Sequence, residues 1–228
     1  HTLDKAEAFR RVNALLAEDE GTSAPGGPNP FERTLKEDGP LVQPNFVIVI
    51  GESFGANFTG VLGHHPENIT PVFDRLSQDG LLFTRFYATG SRTVRGLEAI
   101  LCSFPPIPGV SILKRDKSEN VFTMADVVKS KGYETLFVYG GRGIFDGMRP
   151  FMLANGFDRF VEQKDFPNPV FTTAWGVSDE DIFHKALEEF DQLQARGKPF
   201  LSVVLTVSNH KPYSYPAGRI DLDPARHR

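Results

Sequence analysis

Residues Ser91-Arg92-Thr93-Val94-Arg95-Gly96-Leu97 set a hydroxyl between two guanidiniums at the expected start of a helix. The stretch before them, Leu81 to Tyr87, is rich in bulky apolar and aromatic residues and predicts a strand. After them, Leu97, Ile100 and Leu101 recur at helical spacing. A threonine at such a junction can cap the helix through its side-chain oxygen. The same position lets free backbone N–H groups and flanking guanidiniums meet an anion. Capping is the commoner use of such a residue. An acid at the end of another strand favours the anion reading here.

In an open parallel sheet, ligands bind beyond the carboxyl ends of the strands. The apolar run Phe46–Ile50 leads into Gly51-Glu52-Ser53, and the Leu81–Tyr87 run leads through Gly90 to Thr93. Thr135–Tyr139 ends at Gly140-Gly141-Arg142, and Phe200–Thr206 ends at Ser208-Asn209-His210. Acid, hydroxyl, glycine pair and histidine are thus expected at one edge. The chemistry that needs this set is attack by a hydroxyl on phosphorus or sulfur. Threonine is a poor nucleophile, because it gives up its proton only at high pH. A divalent cation held by Glu52 and touching Thr93 Oγ1 would favour the alkoxide and neutralise the incoming ester. Arg92 or Arg95 could hold the remaining oxygens, and His210 could orient the leaving group or act on it. Oxygen ligands suit Mg²⁺ or Mn²⁺, and an added histidine shifts the preference towards Mn²⁺ or Zn²⁺.

Each residue also has a plainer reading. Glu52 can pair with a neighbouring arginine, and His210, before Lys211-Pro212-Tyr213, can be a solvated turn residue. Gly140 and Gly141 can simply permit a turn, since they lack the spacing of a phosphate-cradling loop. Trp175 can be a packed tryptophan. His64 and His65 lack the i, i+4 spacing of a helical metal site and read as loop residues. Asp179, Glu180 and Asp181 favour the positive end of a helix, which accounts for them without catalysis.

The elements that would carry these residues follow from periodicity and from helix stop and start signals. A helix is predicted from Pro71 to Gln78, with Thr70 as its cap and Gly80 as its stop, and another opens at Thr123 and ends by Gly132. Ser178 and Asp181 resemble a capping box before a long helix whose Ile182, Phe183, Ala186, Phe190 and Leu193 share a face. Strands alternating with helices predict an α/β fold, a mostly parallel sheet with helices on both faces. Residues 1–44 are expected to form a helical connector with a stripe of Leu3, Phe9, Val12, Leu15 and Leu16. The Gly/Pro-rich linker Gly21–Pro30, which is not expected to form regular structure, follows it. Residues 45–228 are expected to form the N-terminal portion of a catalytic domain.

The 228 residues carry a net charge of −4, 40% hydrophobic side chains and 20 Phe, which suits one domain with a substantial core. A mildly acidic total offers no footprint for nucleic acid. The single cysteine, Cys102, rules out an internal disulfide and a cysteine-based metal cluster. No run approaches the roughly 18 apolar residues of a membrane span. The chain opens without a signal sequence or an initiating methionine, so a fragment is expected, with membrane segments in the missing part.

With these residues in hand, the chain resembles the sulfatase-like branch of the alkaline phosphatase superfamily. Within it, the likeness is to phosphoglycerol transferases of the lipoteichoic acid synthase and osmoregulated-glucan type. The stretches that carry it are Asn45–Ser53, Thr70–Leu76, Phe86–Ala88, Ser91–Gly96, Trp175–Asp179 and Ser208–Tyr213, in matching order between about Asn45 and Ile220. The resemblance implies an alkaline phosphatase/sulfatase-like fold and Glu52 as a metal ligand. It makes Thr93 both metal ligand and nucleophile, and it makes Trp175 and His210 the lining of a phosphoglycerol head-group pocket. It implies transfer of glycerol phosphate from phosphatidylglycerol, through a phospho-threonine, to a glycan or polyglycerol phosphate acceptor. It also implies a catalytic domain outside the cytoplasmic membrane, anchored by N-terminal helices.

Two departures matter. The family completes its metal site with an Asp-His pair, which this chain does not contain, so the domain is expected to be incomplete at its C-terminus and the piece alone inactive. The lipoteichoic acid synthases also place a histidine two residues before the glutamate, where Ile50 stands. Two other functions stay open. One is a sulfatase-like phosphodiesterase that passes the group to water, although sulfatases carry Cys or Ser where Thr93 stands. The other is a lipid-head-group binding domain without catalysis.

Overall fold

The computed structural model describes residues 3–16, 22–23, 31, 33–34, 39–40, 42–63, 67, 69–105 and 107–219. The chain divides into two compact units, His1–Gln43 and Pro44–Arg228. In the first unit, helix α1 (Lys5–Leu16) is braced on its surface by Glu7, whose carboxylate accepts from Arg10 and Arg11 one turn on. Two short strands, β1 (Thr22–Ser23) and β2 (Arg33–Thr34), pair antiparallel, with Thr22 opposite Thr34. The expectation of no regular structure in Gly21–Pro30 is therefore corrected at Thr22–Ser23. A two-residue ladder needs only backbone groups, which serine and threonine supply freely. The other positions of that stretch lie outside the described residues, as do His64 and His65.

The second unit is built on a four-stranded parallel sheet in the order β3 (Phe46–Ile50), β6 (Phe200–Leu205), β4 (Glu134–Tyr139), β5 (Arg159–Val161). The two central strands, FLSVVL and ETLFVY, are mostly apolar and almost wholly buried, as parallel strands covered on both faces must be. The register sets Ile50 against Leu205 and Leu205 against Tyr139. Three strands therefore end level, and the residues that follow them emerge side by side.

Helices α2 (Gly60–Gly63), α3 (Pro71–Asp79), α4 (Thr93–Cys102), α5 (Met124–Lys129), α6 (Met148–Ala154) and α7 (Asp179–Ala195) complete the unit. The core joins Leu97 and Leu101 of α4, Ile182 and Ala186 of α7, and Phe137 and Val138 of the sheet, all nearly inaccessible. Phe137 stacks on Phe160 with centroids 5.0 Å apart. No helix among the described residues is long and apolar enough to cross a membrane.

The α/β class and the predicted starts of α3, α4, α5 and α7 hold. Leu81–Tyr87 does not form a strand: it pairs with no described element, and Phe83, Phe86 and Tyr87 stand 65–80% exposed. Its side chains suit a pleated surface, but a strand also needs a ladder partner, and none of the four sheet strands provides one. The short edge strand β5 escaped the periodicity reading because three residues are too few to show a period.

Candidate functional site

The level strand ends bring four sequence-distant turns together. Glu52 lies two residues beyond β3, and its main-chain N–H donates to Thr206 Oγ1 at 2.8 Å, directly beyond β6. Its carboxylate is half-buried and engaged at both oxygens. Ser53 Oγ donates to Oε1 at 3.1 Å, and Thr93 Oγ1 donates to Oε2 at 2.9 Å. Ser53 itself holds φ = 52°, the left-handed region that a residue with a Cβ rarely adopts. Asn209 Nδ2 anchors it by donating to Ser53 O at 2.7 Å.

Thr93 is the first helical residue of α4, and Arg92 occupies the cap position without a side-chain hydrogen bond. The capping role is therefore not what the structure records for this hydroxyl. Its proton points at a carboxylate 41 residues earlier in the chain. The two oxygens are hard donors that suit a small divalent cation. Among the described residues, no group of three His, Cys, Asp or Glu side chains is placed to hold one.

The two arginines diverge. Arg95 donates from Nη1 to Glu98 Oε1 at 2.6 Å and from Nη2 to the carbonyl of Gly109. Glu98 is nearly inaccessible and also accepts from Ser111 Oγ at 2.6 Å and from the Ile112 N–H at 2.7 Å. Burial raises the Glu98 pKa, but the Ser111 hydroxyl, the Arg95 guanidinium and the Ile112 amide outweigh it and hold the carboxyl below its ordinary value. Arg95 is thus built into the brace of α4. Arg92 is exposed and has no ion-pair partner among the described residues.

Trp175 and His210 meet, with ring centroids 3.8 Å apart at a 40° tilt. The indole N–H donates to Lys211 O at 2.6 Å, and Phe145 stands edge-on to the indole with centroids 6.0 Å apart. His210 Nδ1 lies 2.9 Å from Lys211 O. A carbonyl only accepts, so this contact puts the proton of a neutral ring on Nδ1 and leaves Nε2 as an acceptor. The glycine pair serves close packing. A Cβ at Gly140 would come within 2.6 Å of Ile182, and one at Gly141 within 2.5 Å of both Trp175 O and Tyr139 Oη. Tyr139, the last residue of β4, is buried, and burial followed by the charges of Glu52 and Asp146 pushes its phenol up to about 12.

Sequence reasoning missed Thr206, Asn209 and Asp179. Asp179 Oδ1 accepts from the N–H groups of Val207 and Ser208 at 2.7 and 2.9 Å, while its own N–H donates to Ser208 Oγ at 2.8 Å. Thr206 carried a usable signal, since it follows a parallel strand directly.

A sequence profile of the Sulfatase family matches residues 44–221. Phosphoglycerol transferase I of Citrobacter koseri is 25% identical over 222 residues, which take in 92% of this chain and 29% of that protein. Phosphoglycerol transferase I of Escherichia coli O127:H6 is 26% identical over 225 residues, with the same shares. The chain thus spans under a third of the length of these curated relatives. Among solved structures, an alkaline phosphatase superfamily protein from Vibrio parahaemolyticus superposes with a TM-score of 0.88 at 41% identity, over 100% of this chain and 55% of that one. The lipoteichoic acid synthase LtaP from Listeria monocytogenes shares the fold, with a TM-score of 0.70 at 24% identity, over 80% of this chain and 45% of that one.

Proposed function

The chain belongs to the sulfatase family, and from that premise we propose that it carries the nucleophile of a phosphoryl-group transferase. The donor is a phosphatidylglycerol-type lipid, the group moved is glycerol phosphate, and the acceptor is a glycan or a polyglycerol phosphate chain. The relatives named phosphoglycerol transferase I support the class of group. The observation that carries the reading is the hydrogen bond from Thr93 Oγ1 to Glu52 Oε2.

That bond orients the nucleophile. With the hydroxyl proton on the Glu52 side, an oxygen lone pair is free to face phosphorus. Attack forms the Thr93 Oγ–P bond as the P–O bond to diacylglycerol breaks. The Thr93 proton leaves along its hydrogen bond and the departing alkoxide takes one up. In the second half of the cycle an acceptor hydroxyl displaces Thr93 from the phospho-threonine. Arg92 is free to pair with a phosphoryl oxygen. The acceptor nitrogen of His210, whose ring packs against Trp175, suits a glycerol hydroxyl. Glu52 and Thr93 would hold a divalent ion, Mn²⁺ or Mg²⁺, and when bound it would lower the hydroxyl's pKa and offset the charge of the diester. A lipid donor places the domain at a membrane face, and the proposal includes membrane anchorage and an extracytoplasmic location.

Thr93→Ala in the full-length protein, assayed with phosphatidylglycerol and with a soluble phosphodiester, is expected to abolish turnover. Unchanged turnover would remove Thr93 as the nucleophile. Release of glycerol phosphate to water alone, with none on an acceptor, would favour a phosphodiesterase.

A further inference from the structure

Asp179 opens α7, where a carboxylate is expected for its charge alone, because the first turn of a helix favours an anion. Its contacts are more specific. One oxygen, Oδ1, takes both N–H groups of Val207 and Ser208, and Ser208 Oγ takes the Asp179 N–H in return. Val207 is buried and lies two residues past the end of β6, where no ladder partner is available for its amide. The clamp therefore fixes the turn by which the chain leaves the sheet.

That turn touches the site at three points. Thr206, immediately before the clamp, receives the Glu52 N–H. Asn209, immediately after it, holds the left-handed Ser53 beside Glu52. His210 then packs its ring against that of Trp175, and Lys211 O accepts the indole N–H; Trp175 lies four residues before Asp179 on the segment entering α7. One carboxylate thus ties the glutamate side of the site to its tryptophan side. We infer that Asp179 is a positioning residue for this site: it fixes the geometry of the 206–211 turn, and through that turn the Glu52 backbone and the Trp175–His210 pair. The inference rests on the transfer reading above for its catalytic consequence and on hydrogen bonds alone for its structural one.

Two conservative variants separate position from charge. Asp179→Asn removes the charge but keeps an acceptor oxygen in place. Asp179→Glu keeps the charge at the helix end but carries the acceptor one methylene away. In the full-length protein, Asp179→Asn is expected to keep kcat near that of the parent, and Asp179→Glu to lose about 10- to 100-fold, as removal of a supporting hydrogen-bond partner does. The opposite order, or two variants equal to the parent, would overturn the inference. Hydrogen exchange at the Val207 and Ser208 amides is the second readout: faster in Asp179→Glu, still protected in Asp179→Asn. Exchange unchanged in Asp179→Glu would overturn it as well. Thr93→Ala run alongside keeps the two readings apart. Full turnover in that variant sinks the transfer reading, and the amide exchange still decides Asp179.

Discussion

Thr93 Oγ1 and Glu52 Oε2 meet at 2.9 Å, joining the first residue of a helix to the end of a strand 41 residues earlier. The hydroxyl is spent on that carboxylate and not on its own helix, so the cost of removing it should depend on Glu52. Thr93→Val, which keeps the shape and deletes only the hydroxyl, is expected to cost about 0.5–1.5 kcal/mol in the parent, the worth of one hydrogen bond. In a Glu52→Ala background, where the partner is already gone, it should cost less than about 0.5 kcal/mol. Chemical denaturation of the four proteins checks this. An equal loss in both backgrounds, at the about 0.5–2 kcal/mol of a lost cap, would return Thr93 to a helix-capping role.

The two arginines flanking Thr93 should separate by experiment. Arg95→Ala leaves buried Glu98 without its guanidinium, a loss of about 3 kcal/mol at the lower end for a broken buried pair. For a domain of this size that lowers the melting temperature by roughly 6–12 °C. Arg92→Ala, at an exposed residue with no described ion-pair partner, should shift stability by less than about 0.5 kcal/mol. It should raise KM for a phosphodiester about tenfold, the value of one charge-assisted hydrogen bond. A melting-temperature loss in Arg92→Ala with KM unchanged would reverse the assignment.

The site edge was legible in the sequence because parallel topology is: Phe46–Ile50, Thr135–Tyr139 and Phe200–Thr206 are largely apolar runs, and the residues after them had to share an edge, although Phe46–Ile50 proved to be a largely exposed edge strand and only the other two are buried. The helix start at Thr93 and the Ser178 cap were legible for local reasons, a spacing and a side-chain oxygen. What failed was non-local. Leu81–Tyr87 has strand chemistry but no partner among the described elements, and pairing cannot be read from one segment. Arg95 looked as available as Arg92 until Glu98, three residues on, proved to be buried against it. Asp179 read as helix-end charge because its two amide partners lie 28 and 29 residues away.

Acid should unfold the domain partly through Glu98. Its folded pKa lies below the model-peptide value of 4.5, burial opposing and the Ser111, Arg95 and Ile112 contacts prevailing. The unfolded chain therefore takes up the proton first. Its stabilising contribution is whole above pH 4.5 and declines as the pH falls through the folded value. Glu98→Gln should cost about 1–3 kcal/mol at pH 7 and give a flatter stability curve below pH 4.5. Denaturant midpoints between pH 7 and pH 3 for both proteins check this; parallel curves would mean that other carboxylates carry the acid response.

Cys102, half-buried at the end of α4, should be a slow nucleophile. Burial, then the charges of Glu98 and Asp126, push its thiol up to about 11. At pH 8 the thiolate fraction is then about 100-fold below that of an ordinary cysteine, and alkylation slows in proportion. Iodoacetamide labelling against a free cysteine peptide measures it. A rate near the peptide's would show that the native environment does not suppress the thiolate.

Divalent-metal binding tests how far the site is built from the residues described. Glu52 and Thr93 give two oxygen donors, and among the described residues no group of three His, Cys, Asp or Glu side chains is placed to hold a metal ion. An ion held by two protein oxygens keeps most of its hydration shell, so the gain over free solution is small. For the 228-residue chain, calorimetry should give a Mn²⁺ Kd weaker than about 10⁻⁴ M, in the range of weak oxygen-ligand sites. Glu52→Gln should remove even that signal, because the neutral amide has lost the charge that attracts the ion. Tight stoichiometric binding abolished by Glu52→Gln would show that donors beyond the described residues complete the site. Tight binding insensitive to Glu52→Gln would place the metal elsewhere and leave the Thr93 hydroxyl to be activated by the carboxylate alone.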